Sequence, residues 1–235
     1  MRIFYHPDLN ENLTSVELNA DDSRHVAKVL RLKAGDSVLL TDGKGGQYEA
    51  EITKPDPKKS QLKIVHYEYE SKLGGYGIHI AVAPTKNMDR IEYFVEKAVE
   101  LGIDRITFIK TNNSERTVVK TERVKKIAVS AMKQSQKSYL PEIDEMVSLK
   151  SFLSSCDDDE KYICYVPEDP DKHLFKEAAP SKKYCVLIGP EGGFTPEEVA
   201  MATESGFEAV SLGKSRLRTE TAALAACHIL NLKNI

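Results

Sequence analysis

Twice near its C-terminus the chain runs from a short apolar stretch through a glycine turn into a well-marked helix start. The first pass is Cys185–Val199, "CVLIGPEGGFTPEEV"; the second is Ala209–Leu230, "AVSLGKSRLRTETAALAACHIL". Two consecutive strands each followed by a helix cannot pair as a hairpin. The chain has to cross back over the sheet, and that makes the strands parallel. The same rhythm begins earlier, with an apolar run at Ile78–Pro84 and helical spacing of Ile91, Phe94, Val95, Ala98 and Val99 over Met88–Leu101. Strand patterns at Arg105–Ile109 and Tyr162–Val166 and a helix opening on Thr121 and burying Val124, Ile127, Ala128 and Ala131 continue it. Residues 78–235 therefore read as an α/β domain, a parallel sheet with helices on both faces.

The first seventy or so residues read differently. Short alternating runs such as "DSVLLTD" and "GQYEAEIT" are separated by turn signals, Asp42-Gly43 among them. One helix, "ADDSRHVAKVLRL", interrupts them, with Asp21 or Asp22 as cap and Val26, Val29 and Leu30 on one face. Residues 1–70 are expected to form a small β-barrel, and the glycine-bearing stretch 71–77 a linker.

The glycine loop does not match the known phosphate cradles. A Walker loop needs a lysine and a hydroxyl residue after its second glycine, where this chain has Phe194, and GxGxxG is absent. Glu191 within the loop and Glu197 and Glu198 in the first helical turn would repel a pyrophosphate. Such a loop suits a neutral adenine or ribose or a cationic ligand, or it is a tight turn that holds nothing. In the helix after it, Thr195, Pro196 and Glu198 form a cap, a first-turn proline and a capping box. In the second loop Arg218 and Glu220 flank Thr219 at a helix mouth, with Thr219 or Thr221 as the cap. Ligands of open α/β sheets bind at the carboxyl ends of the strands, where both loops fall.

The net charge of -3 does not by itself call for a nucleic-acid partner. Its distribution does more: eight Lys or Arg between Lys110 and Lys137 face only Glu115 and Glu122, and smaller basic clusters lie at Ser23–Lys33 and Lys214–Arg218. Acidic residues gather instead at "CDDDEK" and "VPEDPD". No run reaches the roughly 18 apolar residues of a membrane helix, and the N-terminus lacks the features of a signal peptide. The cytoplasm is the expected compartment. The four cysteines, Cys156, Cys164, Cys185 and Cys227, show neither a CxxC pair nor metal-ligand spacing, so they read as buried thiols and no metal is expected.

"LIGPEGGFTPEE" followed by "LGKSRLRTETAAL" resembles the RsmE-type ribosomal RNA methyltransferases of the SPOUT superfamily. "HVAKVLRLKAGD", "KNMDRIEYFVEKAVELGIDRITFI", "NNSER" and "QSQKSYLPEI" stand in the expected order and extend the likeness over essentially the whole chain. The resemblance implies a PUA-like N-terminal barrel, a C-terminal domain tied in a trefoil knot around 185–235, and a homodimer. It also implies S-adenosylmethionine as methyl donor and N3 of one uridine of 16S rRNA, in the small ribosomal subunit, as target. Cofactor contacts carry over to Leu187, Ile188, Gly189, Glu191, Gly192, Leu212, Gly213, Leu217, Arg218 and Thr219. RNA contacts are expected from Arg24, His25, Lys28, Arg31, Arg116, Lys133 and Lys137. The chain departs from the family pattern at Ser215, at Lys133-Gln134 and at Lys137.

A uracil imide is a poor nucleophile while protonated, whereas a sulfonium methyl needs no activation. The chain must align the two and help the proton leave. Arg218 is the candidate for stabilising charge on the uracil carbonyls, and Glu220 for orienting Arg218 or taking the proton. Two other readings are compatible with the residues: a nucleotide-dependent α/β enzyme, against which the missing fingerprint counts, and a non-catalytic RNA-binding or ribosome-assembly protein.

Overall fold

The computed structural model describes residues 3–72, 74–165 and 172–235. Leu73 of the expected linker, Val166 of the expected strand and the acidic stretch 166–171 lie outside the described residues. In chain order the elements are β1 (Ile3–Tyr5), β2 (Ser15–Glu17), α1 (Ala20–Arg24), β3 (Ser37–Thr41), β4 (Gly46–Lys54), β5 (Gln61–Tyr69), β6 (Gly77–Val82), α2 (Met88–Leu101), β7 (Arg105–Lys110) and α3 (Thr121–Gln134). Then follow β8 (Glu142–Ile143), β9 (Val147–Ser148), α4 (Leu149–Ser155), β10 (Glu160–Cys164), α5 (Leu174–Glu177), β11 (Lys183–Ile188), α6 (Pro196–Glu204), β12 (Glu208–Val210) and α7 (Thr219–Lys233). None of the described helices is long and apolar enough to cross a membrane.

Two compact units result, Met1–Lys72 with Met132–Leu140, and Leu73–Ala131 with Pro141–Ile235. The first holds a five-stranded mixed sheet in the order β1-β3-β4-β5-β2, antiparallel except for the β1–β3 pair. β4 alternates buried and exposed side chains, so Tyr48, Ala50 and Ile52 enter a core with Phe4, Val38 and Leu40 while the other face meets water. Residues 138–140 belong to this unit because their backbone bonds the β3–β4 turn, Gly45 N–H to Ser138 O at 3.0 Å and Leu140 N–H to Gly43 O at 2.9 Å.

The helix of this unit differs from its expected form. Asn19 is the cap, its Oδ1 accepting from the amides of Asp21 and Asp22. After Arg24 the chain widens into a π-helical turn over His25–Val29, closed by Leu30 N–H to His25 O at 2.8 Å. The wider turn rotates successive side chains off the 3.6-residue stripe. Val26 is buried, but Val29 is 64% exposed and Leu30 only half-buried.

The second unit carries a seven-stranded sheet in the order β12-β10-β11-β6-β7-β8, with β9 also on β7, and every pairing is parallel. β6 and β11 bury nearly every residue because both faces are covered. Cys185 and Leu187 share a cluster with Leu149, Phe152 and Leu153 of α4 and Ala202 of α6, while α7 packs against β6, β11 and α2. α2 buries Ile91, Phe94, Val95, Ala98 and Val99, the stripe its spacing predicts, and Gly102 ends it. On α3, Val124, Ala128 and Ala131 are buried and Ile127 is half-buried. From β11 the chain runs through α6 to β12, which lies beyond β10, and then returns to α7 against β11 and β6.

Candidate functional site

Four loops follow the carboxyl ends of β6, β7, β11 and β12 and are stitched to one another. The glycine loop, 189–195, closes on itself through Gly193 N–H to Pro190 O at 2.8 Å, with Gly193 at φ 70, a conformation that favours glycine. Asn113, after β7, donates from Nδ2 to Gly192 O and Gly193 O at 3.3 and 3.1 Å. A Cβ on Gly192 would stand 3.1 Å from Asn113 Cβ, so the approach of these two loops depends on that glycine.

Two glutamates do the remaining stitching. Glu198, 3% exposed, completes the expected capping box with Thr195 and also accepts the Asn112 amide on Oε1 at 2.7 Å. Glu191 accepts the Lys86 amide, from the loop after β6, at 3.2 Å. Arg116 binds that same loop, donating to the carbonyls of Thr85 and Lys86 at 3.2 and 2.6 Å.

The second loop joins the first through Thr219. Its hydroxyl does not cap α7; Arg218 is the N-cap residue, without a side-chain cap bond. Thr219 Oγ1 instead donates to Gly189 O at 3.0 Å. Between the two loops lies a cavity of about 370 Å³. The backbone of Gly189–Phe194 forms one wall, Arg216, Leu217, Thr219 and Ala222 another, and Cys164 and Tyr165 the end of β10.

Of the expected cofactor residues, Ile188, Gly189, Glu191, Gly192, Leu217 and Thr219 are brought together around this cavity. Leu187 is fully buried in the core beneath the loop, and Leu212, Gly213 and Arg218 are not among the described residues that line it. The cavity also takes Cys164, Tyr165 and Arg216, which sequence reasoning did not single out. Burial of its sulfur pushes the Cys164 thiol up to about 12.

Arg218 is exposed and Glu220 buried at the start of α7. Two residues apart on a helix start, they do not face each other. Glu220 Oε1 meets Arg90 Nε of α2 at 4.0 Å, and Oε2 has no hydrogen-bond partner among the described residues. Arg90 is the functional candidate that the sequence reading passed over. It stands in the first turn of α2, where nothing local marks it as paired to a residue 130 positions away.

Of the expected RNA contacts, all but Arg116 lie on the first unit. Arg24, His25, Lys28 and Arg31 are all exposed on the first, with Arg31 at φ 53. Arg24 pairs with Asp21 in solvent, and His25 lies edge-on to Phe4. Lys133 is committed locally, 3.2 Å from Asp22 and over the Phe4 ring, and Lys137 is half-buried.

A parallel α/β unit with paired loops at its carboxyl edge, preceded by a small β unit, corresponds to a known class. The family described as RNA methyltransferase domain matches residues 75–231, and the RNA methyltransferase PUA domain matches residues 18–65. The class is therefore RNA methyltransferase. The protein from Aquifex aeolicus (strain VF5) named ribosomal RNA small subunit methyltransferase E is 29% identical over 98% of this chain and 99% of its own length. The crystal structure of a probable rRNA-methyltransferase from Porphyromonas gingivalis is 38% identical, covers 100% of this chain and 98% of its own, and superposes with a TM-score of 0.92. That of a ribosomal RNA small subunit methyltransferase E from Neisseria gonorrhoeae, bound to S-adenosyl methionine, is 30% identical over 97% of this chain and 95% of its own, with a TM-score of 0.87. The chain belongs to the ribosomal RNA small subunit methyltransferase E family.

Proposed function

We propose that this protein transfers the methyl group of S-adenosylmethionine to N3 of one uridine of 16S rRNA in the small ribosomal subunit. The observation that carries the reading is the union of the two loops by the Thr219–Gly189 hydrogen bond around one cavity. The cavity suits the donor: its volume is that of a small-molecule site, its glycine wall offers backbone amides and carbonyls, and the loop's charged side chain is the carboxylate of Glu191. A cationic ligand is compatible with Glu191 where a pyrophosphate would be repelled.

When bound, S-adenosylmethionine supplies an electrophilic methyl group on a positively charged sulfur. Ile188, Gly189, Glu191, Gly192, Leu217 and Thr219 would hold it, with Leu187, Leu212 and Gly213 supporting their loops from behind. Arg218, flanked by two cavity-lining residues and always charged, faces the uracil carbonyls and stabilises negative charge as the N3 proton departs. Glu220, buried beside Thr219 and with no partner for Oε2 among the described residues, is the candidate to take that proton, with Arg90 and the start of α7 balancing its charge.

In this reading residues 1–70 are a PUA-like RNA-binding barrel, 71–77 a linker and 78–235 the methyltransferase domain. Arg24, His25, Lys28 and Arg31 meet RNA from the barrel, and Arg116 and Lys137 from the segments around α3, while Lys133, tied to Asp22 and the Phe4 ring, braces the unit. The segment 185–235 is threaded as a trefoil knot; the passage of the chain beyond β10 and back to α7 supports it. The protein acts as a homodimer in the cytoplasm.

The test is transfer of radiolabelled methyl from S-adenosylmethionine to small-subunit particles that lack the modification, followed by nucleoside analysis, beside calorimetry of S-adenosylmethionine with NADH as control. Label in 3-methyluridine and heat with the sulfonium donor alone are expected. A folded protein that binds neither ligand, or that leaves the particles unlabelled, overturns the reading.

A further inference from the structure

Towards the amino-terminal ends of the parallel strands, away from the glycine loops, four donor side chains from three separate stretches converge. His79 of β6 and Cys185 of β11 are register partners on adjacent strands, so their side chains leave the same face of the sheet. His79 Nδ1 stands 3.1 Å from Asp158 Oδ2, and the donor atoms of His79, Asp158 and Cys185 all lie within 4.8 Å of one another. Cys156 brings a second sulfur, whose thiol donates to the same Asp158 oxygen at 3.4 Å. His79 and Cys185 are buried.

The hydrogen bonds around His79 impose a direction. Arg105 Nε donates to Asp144 at 2.7 Å, and the Thr107 hydroxyl donates to the same carboxylate oxygen. With its proton spent there, Thr107 Oγ1 can only accept from His79, whose Nε2 lies 2.8 Å away. The ring proton is then on Nε2, and the Nδ1 lone pair points at a carboxylate oxygen 3.1 Å off. Two acceptors at that distance require a positive species. A second proton on the ring would supply one, but it leaves Cys185 idle beside the pair. A metal ion would engage His79, Asp158 and Cys185 together, with the Cys156 sulfur beside Asp158 as its fourth donor.

We propose that His79, Asp158, Cys156 and Cys185 form a tetrahedral site for a divalent cation of the zinc class. Thiolate, imidazole and carboxylate are the ligands such an ion takes. With zinc–ligand bonds of about 2.0–2.3 Å, tetrahedral donors lie roughly 3.3–3.8 Å apart; the Cys156–Asp158 contact at 3.4 Å is in that range and the His79–Asp158 contact at 3.1 Å just below it, while His79, Asp158 and Cys185 already lie within 4.8 Å of one another and Cys156 has to close on that trio as the ion enters. Thr107, Asp144 and Arg105 supply the outer hydrogen bonds that fix the tautomer and orientation of a metal-bound histidine. A cavity of about 270 Å³, bordered by His79, Thr107, Cys156 and Asp158, is the route in. The role is structural: the ion clamps the α4–β10 connection onto β6 and β11 at the edge of the sheet opposite the methyl-transfer pocket.

The experiment uses the full chain, stripped with a chelator under a thiol reductant and checked for native circular dichroism, then titrated with Co²⁺ and back-titrated with Zn²⁺. One equivalent of Co²⁺ is expected, with thiolate charge-transfer absorption and the intense d–d bands of a tetrahedral site. Zn²⁺ should displace it, releasing about two protons when it binds to the stripped protein. Cys156→Ser and Asp158→Asn, both at the half-exposed side of the cluster, should each weaken Co²⁺ by at least about 10-fold, while Cys227→Ala binds as wild type. A folded wild type that takes up no stoichiometric Co²⁺, a spectrum without the thiolate band, or unchanged affinity in both Cys156→Ser and Asp158→Asn overturns the proposal.

Discussion

Thr219 Oγ1 donates a 3.0 Å hydrogen bond to the carbonyl of Gly189, thirty residues earlier in the chain, and so fastens the start of α7 to the glycine loop. Thr219 is 5% exposed, and without its hydroxyl the carbonyl faces a buried methyl. Thr219→Val is expected to cost about 1–3 kcal/mol in urea denaturation. It should also weaken S-adenosylmethionine in calorimetry, while Thr219→Ser, which keeps the hydroxyl, stays close to wild type on both measurements.

Glu198 accepts from the amides of Thr195 and Asn112, one on each oxygen. Glu198→Gln turns one of those oxygens into an NH₂ group that faces a donor. The expected cost is about 1–3 kcal/mol, read as a lower urea midpoint with an unchanged m-value. Because Asn112 adjoins Asn113, the variant should also loosen the glycine loop, seen as faster hydrogen exchange at Gly192 and Gly193.

Local punctuation made α6 and α2 readable. The Thr195–Pro196–Glu198 cap and the stripe from Ile91 to Val99 with Gly102 behind it are written in neighbouring residues, and both elements fall where the spacing puts them. That two loops fall at one edge of the sheet followed from two such units in succession, whereas the class of chemistry came from the family resemblance carried by "LIGPEGGFTPEE" and "LGKSRLRTETAAL". Features made by distant residues were not readable. Arg90 meets Glu220 because α2 and α7 pack together, and Asn113 meets Gly192 because β7 and β11 end at the same edge. The π-helical turn at His25–Val29 escaped for another reason: its apolar residues fit a 3.6 period equally well, and only the extra residue per turn turns Val29 outward. The cysteines showed no ligand spacing because the donors beside them come from 79, 156–158 and 185.

The Arg90–Glu220 pair calls for a double-mutant cycle in single-turnover methyl transfer. Glu220→Gln should lower the rate about 10²–10⁴-fold, the range for loss of a positioned general base. Arg90→Ala should lower it less, and the double variant should be no slower than Glu220→Gln, since Arg90 acts through that carboxylate. Arg218→Ala should abolish transfer by its own route while calorimetry still detects S-adenosylmethionine. Additive losses for Arg90 and Glu220 would separate the two residues functionally.

Lys28 and Lys133 are both basic, yet the structure gives them different expected phenotypes. Lys28 is exposed on the π-helical turn, and Lys133 is held by Asp22 and the Phe4 ring. If Lys28 meets a phosphate, Lys28→Ala should reduce the slope of log affinity against log salt by about 0.7–0.9, uniformly across RNA sequences. Lys133→Ala should instead lower the melting temperature and leave that slope nearly unchanged. Filter binding across a salt series and a thermal melt of each variant separate the two outcomes.

Asp144 gives the acid side of the stability curve. Burial alone would raise its pKa, but hydrogen bonds from Arg105 and Thr107 and the charge on Arg105 hold it below its ordinary 3.8. A carboxylate depressed in the folded state adds stability that is complete above the unfolded value and is lost as pH falls through the folded one. Arg105→Gln removes the largest lowering contribution and leaves only the Thr107 hydrogen bond and the His79 charge against burial, so the depression of the Asp144 pKa shrinks. Wild type should therefore be the more stable of the two at neutral pH and down to about pH 4. The gap should then close as pH drops further, below the depressed value, where Asp144 is protonated in both states of both proteins. Urea denaturation of wild type and variant at stepped pH between neutrality and pH 2 measures the gap. A gap that widens on acidification would mean that Arg105 stabilises the fold through some contact other than Asp144.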